Sequence, residues 1–213
     1  MNNFIHNLKF KINIYRRYRY WNKANCIFIH VPKAAGTSIN LALYGKTLDH
    51  YSALEIKDKF PTLFSNCYKF SFVRNPWARA LSAYKFAKVE KTESMGIRSP
   101  EQYRITEFDS FESFVKTWLK YKDPLEIDFV FQPQFRFLYD DAGDLLVDFI
   151  GKVENLDSDM EVVQRKLGME IEVSHSNKTE SMSNYRDAYV DDEMIEIIRT
   201  KYKKDIELFN YEF

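Results

Sequence analysis

Twice in this chain a short apolar run stops at a loop and passes at once into a helix-like stretch. Cys26-Ile-Phe-Ile29 leads into His30-Val-Pro-Lys-Ala-Ala-Gly-Thr-Ser38 and then Ile39–Tyr44, ending at Gly45, while Tyr68-Lys-Phe-Ser-Phe-Val73 leads into Arg74-Asn-Pro-Trp-Ala-Arg-Ala-Leu-Ser82. Short, continuously apolar runs suit strands covered on both faces, and strands alternating with helices build a parallel sheet with a helical layer on each side. The pattern predicts strands near 26–31, 68–73 and 145–150, and helices near 37–44, 76–88, 110–121, 158–167 and 191–209. It also places a loop with a short helix up to about 66 and a polar surface loop over 89–107, with no internal repeat. At 213 residues the chain can bury a proper core, so the expected fold class is α/β, with one domain over 25–213 behind an arm of residues 1–24.

The first loop has the makings of a receptor for a phosphate-like anion. Free N–H groups and the positive dipole end at a helix start attract an anion, and Lys33 adds a point charge. Ala34 and Ala35 are small, Gly36 is expected to let the backbone approach the ligand, and Thr37 and Ser38 are expected to cap the helix and donate to an anionic oxygen. The order departs from a nucleoside-triphosphatase loop, because the Lys stands before the Gly and no Lys-Ser or Lys-Thr pair follows it.

The second turn carries a complementary set. Pro76 suits the first position of a helix, which places the helix start just past Arg74. Ser82 follows on roughly the face of Asn75, Ala78 and Arg79. A guanidinium fork with a hydroxyl suits a terminal phosphate monoester.

Composition narrows the class further. Thirty-one basic residues balance thirty-one acidic ones, yet the first 25 residues hold Lys9, Lys11, Arg16, Arg17, Arg19 and Lys23 without an acid. These cations interleave with Phe4, Ile5, Leu8, Phe10, Tyr15, Tyr18 and Trp21, as a surface-seeking segment would, so the arm reads either as a membrane or partner contact or as a plainly packed helix; nucleic acid is a poorer fit. No apolar run reaches the length of a membrane span and no leader is evident, which gives a cytoplasmic expectation, with peripheral contact at the inner membrane surface. Cys26 and Cys67 each open a strand-like run and read as buried, reduced thiols, and no Cys/His spacing suggests a metal site.

Together the two loops resemble the 5′-phosphosulfate loop and the 3′-phosphate motif of the sulfotransferases, most closely the family 2 carbohydrate sulfotransferases. Leu145–Leu156 is similar to the family's strand and acidic turn, where Glu154 and Asn155 read either as a turn or as substrate-placing groups. His175-Ser-Asn-Lys178 is similar to its late nucleotide-side loop, and Asp205–Phe213 to its C-terminus. The resemblance implies a three-layer, P-loop-like fold. The implied donor is 3′-phosphoadenosine 5′-phosphosulfate (PAPS), leaving as 3′,5′-ADP without a metal. It further implies that Lys33, Ala34, Ala35, Gly36, Thr37 and Ser38 surround the phosphosulfate and that Arg74 and Ser82 hold the 3′-phosphate. The implied acceptor is a hydroxyl of a glycan or glycolipid.

Sulfuryl transfer needs a cation beside the bridging oxygen, for which Lys33 is the candidate, and a base for the acceptor hydroxyl. Several family members carry a His shortly before the Pro-Gln pair, but Val130 stands there in Asp128-Phe-Val-Phe-Gln-Pro-Gln134. The resemblance then favours His50, between the two phosphate motifs; Glu55, Asp128 and His175 are the other candidates. A kinase with a related cradle is the main alternative, disfavoured because no clear acidic pair is available for Mg²⁺. A non-catalytic nucleotide-fold binding module is the third.

Overall fold

The computed structural model describes residues 2–89, 97, 99–173 and 184–213, with residues 2–12 in backbone only. In chain order the elements are α1 (Asn2–Ala24), β1 (Cys26–Ile29), α2 (Gly36–Tyr44), α3 (Ala53–Lys59), α4 (Pro61–Asn66), β2 (Tyr68–Val73) and α5 (Pro76–Lys88). They continue with α6 (Phe111–Ser113), α7 (Phe135–Leu138), β3 (Phe149–Lys152), α8 (Leu156–Leu167), α9 (Asp192–Lys201) and α10 (Lys203–Phe209). Two compact units result, Met1–Val73 with Arg136–Asn177, and Arg74–Phe135 with Lys178–Phe213.

The first unit holds a parallel three-stranded sheet flanked by helices, with β2 in the middle; Ile29 pairs with Ser71 on one side and Phe72 with Gly151 on the other. Cys26 and Phe28 join Ile39, Phe70, Phe72, Met160, Val163 and Ile171 in one core cluster. Ile27 and Ile29 point to the alternate face and are buried as deeply, which is why β1 shows no polar alternation. As an edge strand, β1 would leave backbone groups unpaired. The Tyr44 hydroxyl of α2 closes that edge, accepting from Phe28 N–H at 2.9 Å and donating to the Cys26 carbonyl at 3.3 Å. Gly151 is required by its strand partner: a Cβ there would lie 2.5 Å from Phe72 Cε1. The C-terminal half of α1 packs onto this unit through the buried Ile14 and Trp21, with Trp21 against Tyr51 and Phe60.

The second unit is helical. Asn75 caps α5 by accepting from the N–H groups of Trp77 and Ala78, and the buried Trp77 donates from its indole to the Ile195 carbonyl. Residues 111–121 form a continuous helical run that passes from α6 through a π-helical turn (Phe114–Trp118) to a 3-10 turn (Leu119–Tyr121). Phe111, Phe114 and Val115 are buried within it, in an aromatic cluster that includes Tyr84, Tyr103, Phe108, Trp118 and Phe131. The segment Val130–Phe135 is held by buried polar groups. Arg79 donates to the carbonyls of Val130 and Gln132 at 3.2 and 2.7 Å, the Tyr202 hydroxyl donates to Phe131 at 2.8 Å, and the Asp205 carboxylate accepts from Gln134 and Phe135 N–H at 2.8 and 2.9 Å. Burial pushes the Asp205 carboxyl up to about 6, against the pull of Arg79 and the backbone donors.

The α/β class and the helix-flanked parallel sheet agree with the sequence expectation, and β2 and α5 have the predicted bounds. Several expected elements differ. Strand β1 stops at Ile29, and β3 begins only at Phe149 because Tyr139 and Leu145 first make an isolated antiparallel bridge. The stretch before residue 66 holds two helices, since Ser52 with Glu55 starts α3 by a capping box and Pro61 starts α4. The expected helix over 191–209 is interrupted at Tyr202. Residues 90–96 and 98 of the expected 89–107 surface loop and all of His175–Lys178 lie outside the described residues; the rest of that loop holds two 3-10 turns, Pro100–Tyr103 and Thr106–Phe108, and buries Ile97 and Tyr103. Both cysteines are buried and free.

Replacing Gly151 with Ala forces the Phe72 ring to shift and should destabilise the chain by about 1–3 kcal/mol. The check is a lower urea midpoint with unchanged slope.

Candidate active site

The loop between β1 and α2 is built under backbone strain. Lys33 (φ 65°) and Ala35 (φ 59°) are both left-handed without being glycine, at a cost on the order of 1–2 kcal/mol each. Ala35 is the N-cap of α2, and its side chain supplies no cap. Thr37 and Ser38 therefore do not cap the helix as expected; they lie inside its first turn, Ser38 buried and Thr37 half-buried. The Ala34 N–H between Lys33 and Ala35 donates back to the Val31 carbonyl at 3.4 Å; left-handed residues in a turn are the kind of backbone that can present N–H groups to an anion.

Gly36 is required by what lies against it within the fold. A Cβ built there would overlap the His30 ring at Cδ2 and Nε2, so the absent side chain makes room for a buried imidazole under the loop. The Asp49 backbone lies close enough to favour a proton on that ring, and the ring's Nδ1 has no hydrogen-bond partner. Asp49 is itself left-handed (φ 64°), and its carboxylate takes Nε and Nη2 of Arg17 from α1 at 3.1 and 2.7 Å.

His50 follows directly. Its ring lies 3.9 Å, centroid to centroid, from that of His30, and Nδ1 is 3.0 Å from the His30 carbonyl. A carbonyl only accepts, so Nδ1 carries the hydrogen and Nε2 the lone pair. Burial pushes the His50 pKa down to about 4, with Lys33 adding to the fall and the His30 carbonyl and Asp49 opposing it. His30 is depressed by burial, by His50 and by Lys33. Two neutral imidazoles and one ammonium thus share a neighbourhood in the first unit, and His50 has the protonation state a general base requires.

Glu55 is committed elsewhere: its carboxylate accepts from Ser52 N–H at 2.8 Å and from the Ser52 hydroxyl at 3.0 Å. Asp128, half-buried in the second unit, accepts from Val130 N–H at 3.2 Å. His175 lies outside the described residues. Glu154 and Asn155 sit exposed in the 3-10 turn between β3 and α8, as the turn reading expected.

Arg74 and Ser82 belong to the second unit, Arg74 immediately before the N-cap of α5 and Ser82 within that helix, both half-buried. The Arg74 backbone is held by a residue that sequence reasoning used only as a landmark. Gln134, wholly buried, accepts from Arg74 N–H at 2.9 Å and donates to the Arg74 carbonyl at 2.8 Å. Among the described residues no group of His, Cys, Asp and Glu could hold a metal ion.

A family model described as the sulfotransferase family matches residues 16–212. The chain belongs to the sulfotransferase family. A protein of Archaeoglobus fulgidus, described only as uncharacterized, is 31% identical over 132 residues, covering 58% of this chain and 87% of the relative. No solved structure matches the chain. Sulfuryl transfer is the chemistry of this family, and the match spans both loops. Among the described residues no helix is long and apolar enough to cross a membrane.

The depressed His50 makes this sulfotransferase's stability depend on pH with a definite sign. The unfolded imidazole binds a proton near pH 6.5 and the folded one near 4, so the contribution is complete above 6.5 and is lost as pH falls through about 4. Unfolding free energies of wild type and His50→Gln should therefore differ by a constant amount above pH 7, with the wild-type advantage shrinking steadily between pH 6.5 and 4. Urea titrations at pH 7.5, 5.5 and 4 measure it.

Proposed function

We propose that this sulfotransferase moves a sulfuryl group from PAPS to a hydroxyl of a glycan or glycolipid. The observation that carries the reading is the strained Lys33–Ala35 turn, which opens an α2 start lacking a side-chain cap and lies beside the neutral His50. Left-handed alanine and lysine persist only where the surroundings over-determine them, and such sites concentrate where an anion is bound.

In this reading the Lys33–Ser38 loop takes the donor's phosphosulfate, and Arg74 with Ser82 takes the 3′-phosphate. Lys33 neutralises charge on the bridging oxygen as the sulfur–oxygen bond to the nucleotide breaks. His50 Nε2 accepts the proton of the acceptor hydroxyl while that oxygen bonds to sulfur, which balances the transfer. The fixed Nδ1–H···O=C bond to His30 aims the lone pair, and the remaining acceleration comes from positioning.

For the acceptor, the second unit offers an open cleft of about 580 Å³. Tyr103, Trp118 and Tyr121 contribute rings, and Gln102, Asp123 and Glu126 contribute polar edges. Aromatic rings beside carboxylates and an amide suit a sugar, whose apolar face stacks while its hydroxyls find acceptors. Tyr121 is 74% exposed, so its ring is available without unpacking the core. Exposed Arg16, Arg19 and Lys23 on α1 are consistent with peripheral contact at an anionic membrane surface.

A transfer assay with labelled PAPS and mixed glycan acceptors tests the proposal. His50→Ala should lower turnover by about 10²- to 10⁴-fold while donor affinity stays nearly intact, and Lys33→Ala should lower turnover too. Tyr121→Ala should raise the acceptor KM alone. Thermal stabilisation by ATP with Mg²⁺ but none by 3′,5′-ADP would overturn the donor assignment in favour of a kinase.

A further inference from the structure

We propose that Gln134 is a positioning residue for Arg74, and that Asp205 in turn fixes Gln134. The inference rests on the reading of Arg74 as the grip on the donor's 3′-phosphate.

Gln134 is wholly buried and uses both ends of its amide on a single residue, accepting from Arg74 N–H at 2.9 Å and donating to the Arg74 carbonyl at 2.8 Å. Two parallel bonds from one planar group fix the orientation of a peptide segment, where a single bond would leave it free to swivel. Arg74 lies between β2 and α5, outside both, and the Gln134 amide fixes its backbone there. On its C-terminal side, Asn75 caps α5 and donates to the Glu212 carbonyl at 2.8 Å. The Arg74 backbone is thus anchored directly and at its neighbour.

The clamp is itself held. Asp205, wholly buried on α10, accepts from Gln134 N–H at 2.8 Å and from Phe135 N–H at 2.9 Å. Arg79 lies close enough to favour the charged carboxylate and donates to the Gln132 carbonyl at 2.7 Å. The chain from α10 through Asp205 and Gln134 ends on the backbone of Arg74, a half-buried residue whose Nε is wholly buried. A misplacement of about 1 Å in a group that recognises charge is enough to cost a large factor in binding.

Calorimetry with 3′,5′-ADP and 5′-AMP separates positioning from plain stability, because a merely structural role would weaken both ligands alike. The wild type should prefer 3′,5′-ADP, and Arg74→Ala should remove most of that preference. Gln134→Met keeps the volume and deletes both bonds; it should cut the preference by on the order of tenfold, with 5′-AMP affinity changed less than about twofold. Asp205→Asn, which retains an acceptor for one of the two N–H groups, should give a smaller cut in the same direction and serves if Gln134→Met does not fold. A folded Gln134→Met, or failing that a folded Asp205→Asn, that keeps the full preference overturns the positioning role while Arg74→Ala still loses it. If Arg74→Ala keeps the preference, the 3′-phosphate assignment itself fails and the inference falls with it.

Discussion

The parallel register between β1 and β2 is the constraint on which the rest depends. It is pinned where the strands end: the buried Ser71 hydroxyl donates to the Ile29 carbonyl at 2.7 Å, the position at which β1 gives way to the loop. Ile29 pairs with Ser71, so β1 and β2 run out at the same edge of the sheet, where β1 passes into the Lys33 turn. Open parallel sheets place their ligands beyond the carboxyl ends of the strands for this reason. A one-residue slip would turn every side chain of β1 to the opposite face and carry the loop with it.

Around that edge the chain spends stability on geometry. Three non-glycine residues, Lys33, Ala35 and Asp49, are left-handed, and a His ring lies buried with an unpartnered nitrogen. Each is unfavourable alone. Packing over-determines them: the His30 ring fills the space that Gly36 leaves, the Asp49 backbone lies close to that ring, and the His30 carbonyl orients His50. The Arg17–Asp49 pair shows that part of the expected N-terminal arm supports this same unit. One imidazole therefore connects the strained loop to the group assigned as base, and its neutrality matters because Lys33 is nearby.

Much of this was legible in the sequence where local chemistry decides the outcome. The continuous apolar run Cys26–Ile29 announced β1, the strand-like Tyr68–Val73 announced β2, and Asn75-Pro76 announced the start of α5. The Ser52-Ala-Leu-Glu55 capping box is equally readable, and it commits the Glu55 carboxylate to a helix start rather than to a base. Tertiary context hid the rest. At Gly36 the sequence marks a close backbone approach, and only the fold puts His30 against it. Gln134 and Asp205 lie 60 and 131 positions from Arg74 in the chain, and nothing local marks a buried amide that will close on a distant backbone. Nor could the second unit be read off, since it joins Arg74–Phe135 to Lys178–Phe213. The helix break at Tyr202 likewise reflects packing, with its hydroxyl drawn to the Phe131 carbonyl.

The central proposal is that the donor's 5′-phosphate goes to the Lys33–Ser38 loop and its 3′-phosphate to Arg74 and Ser82. A crystal structure of the chain with 3′,5′-ADP tests it most directly. The account predicts the 5′-phosphate within hydrogen-bond reach of the Lys33–Ser38 loop and the 3′-phosphate on Arg74 and Ser82. A nucleotide that binds at only one loop, or away from both, would contradict it.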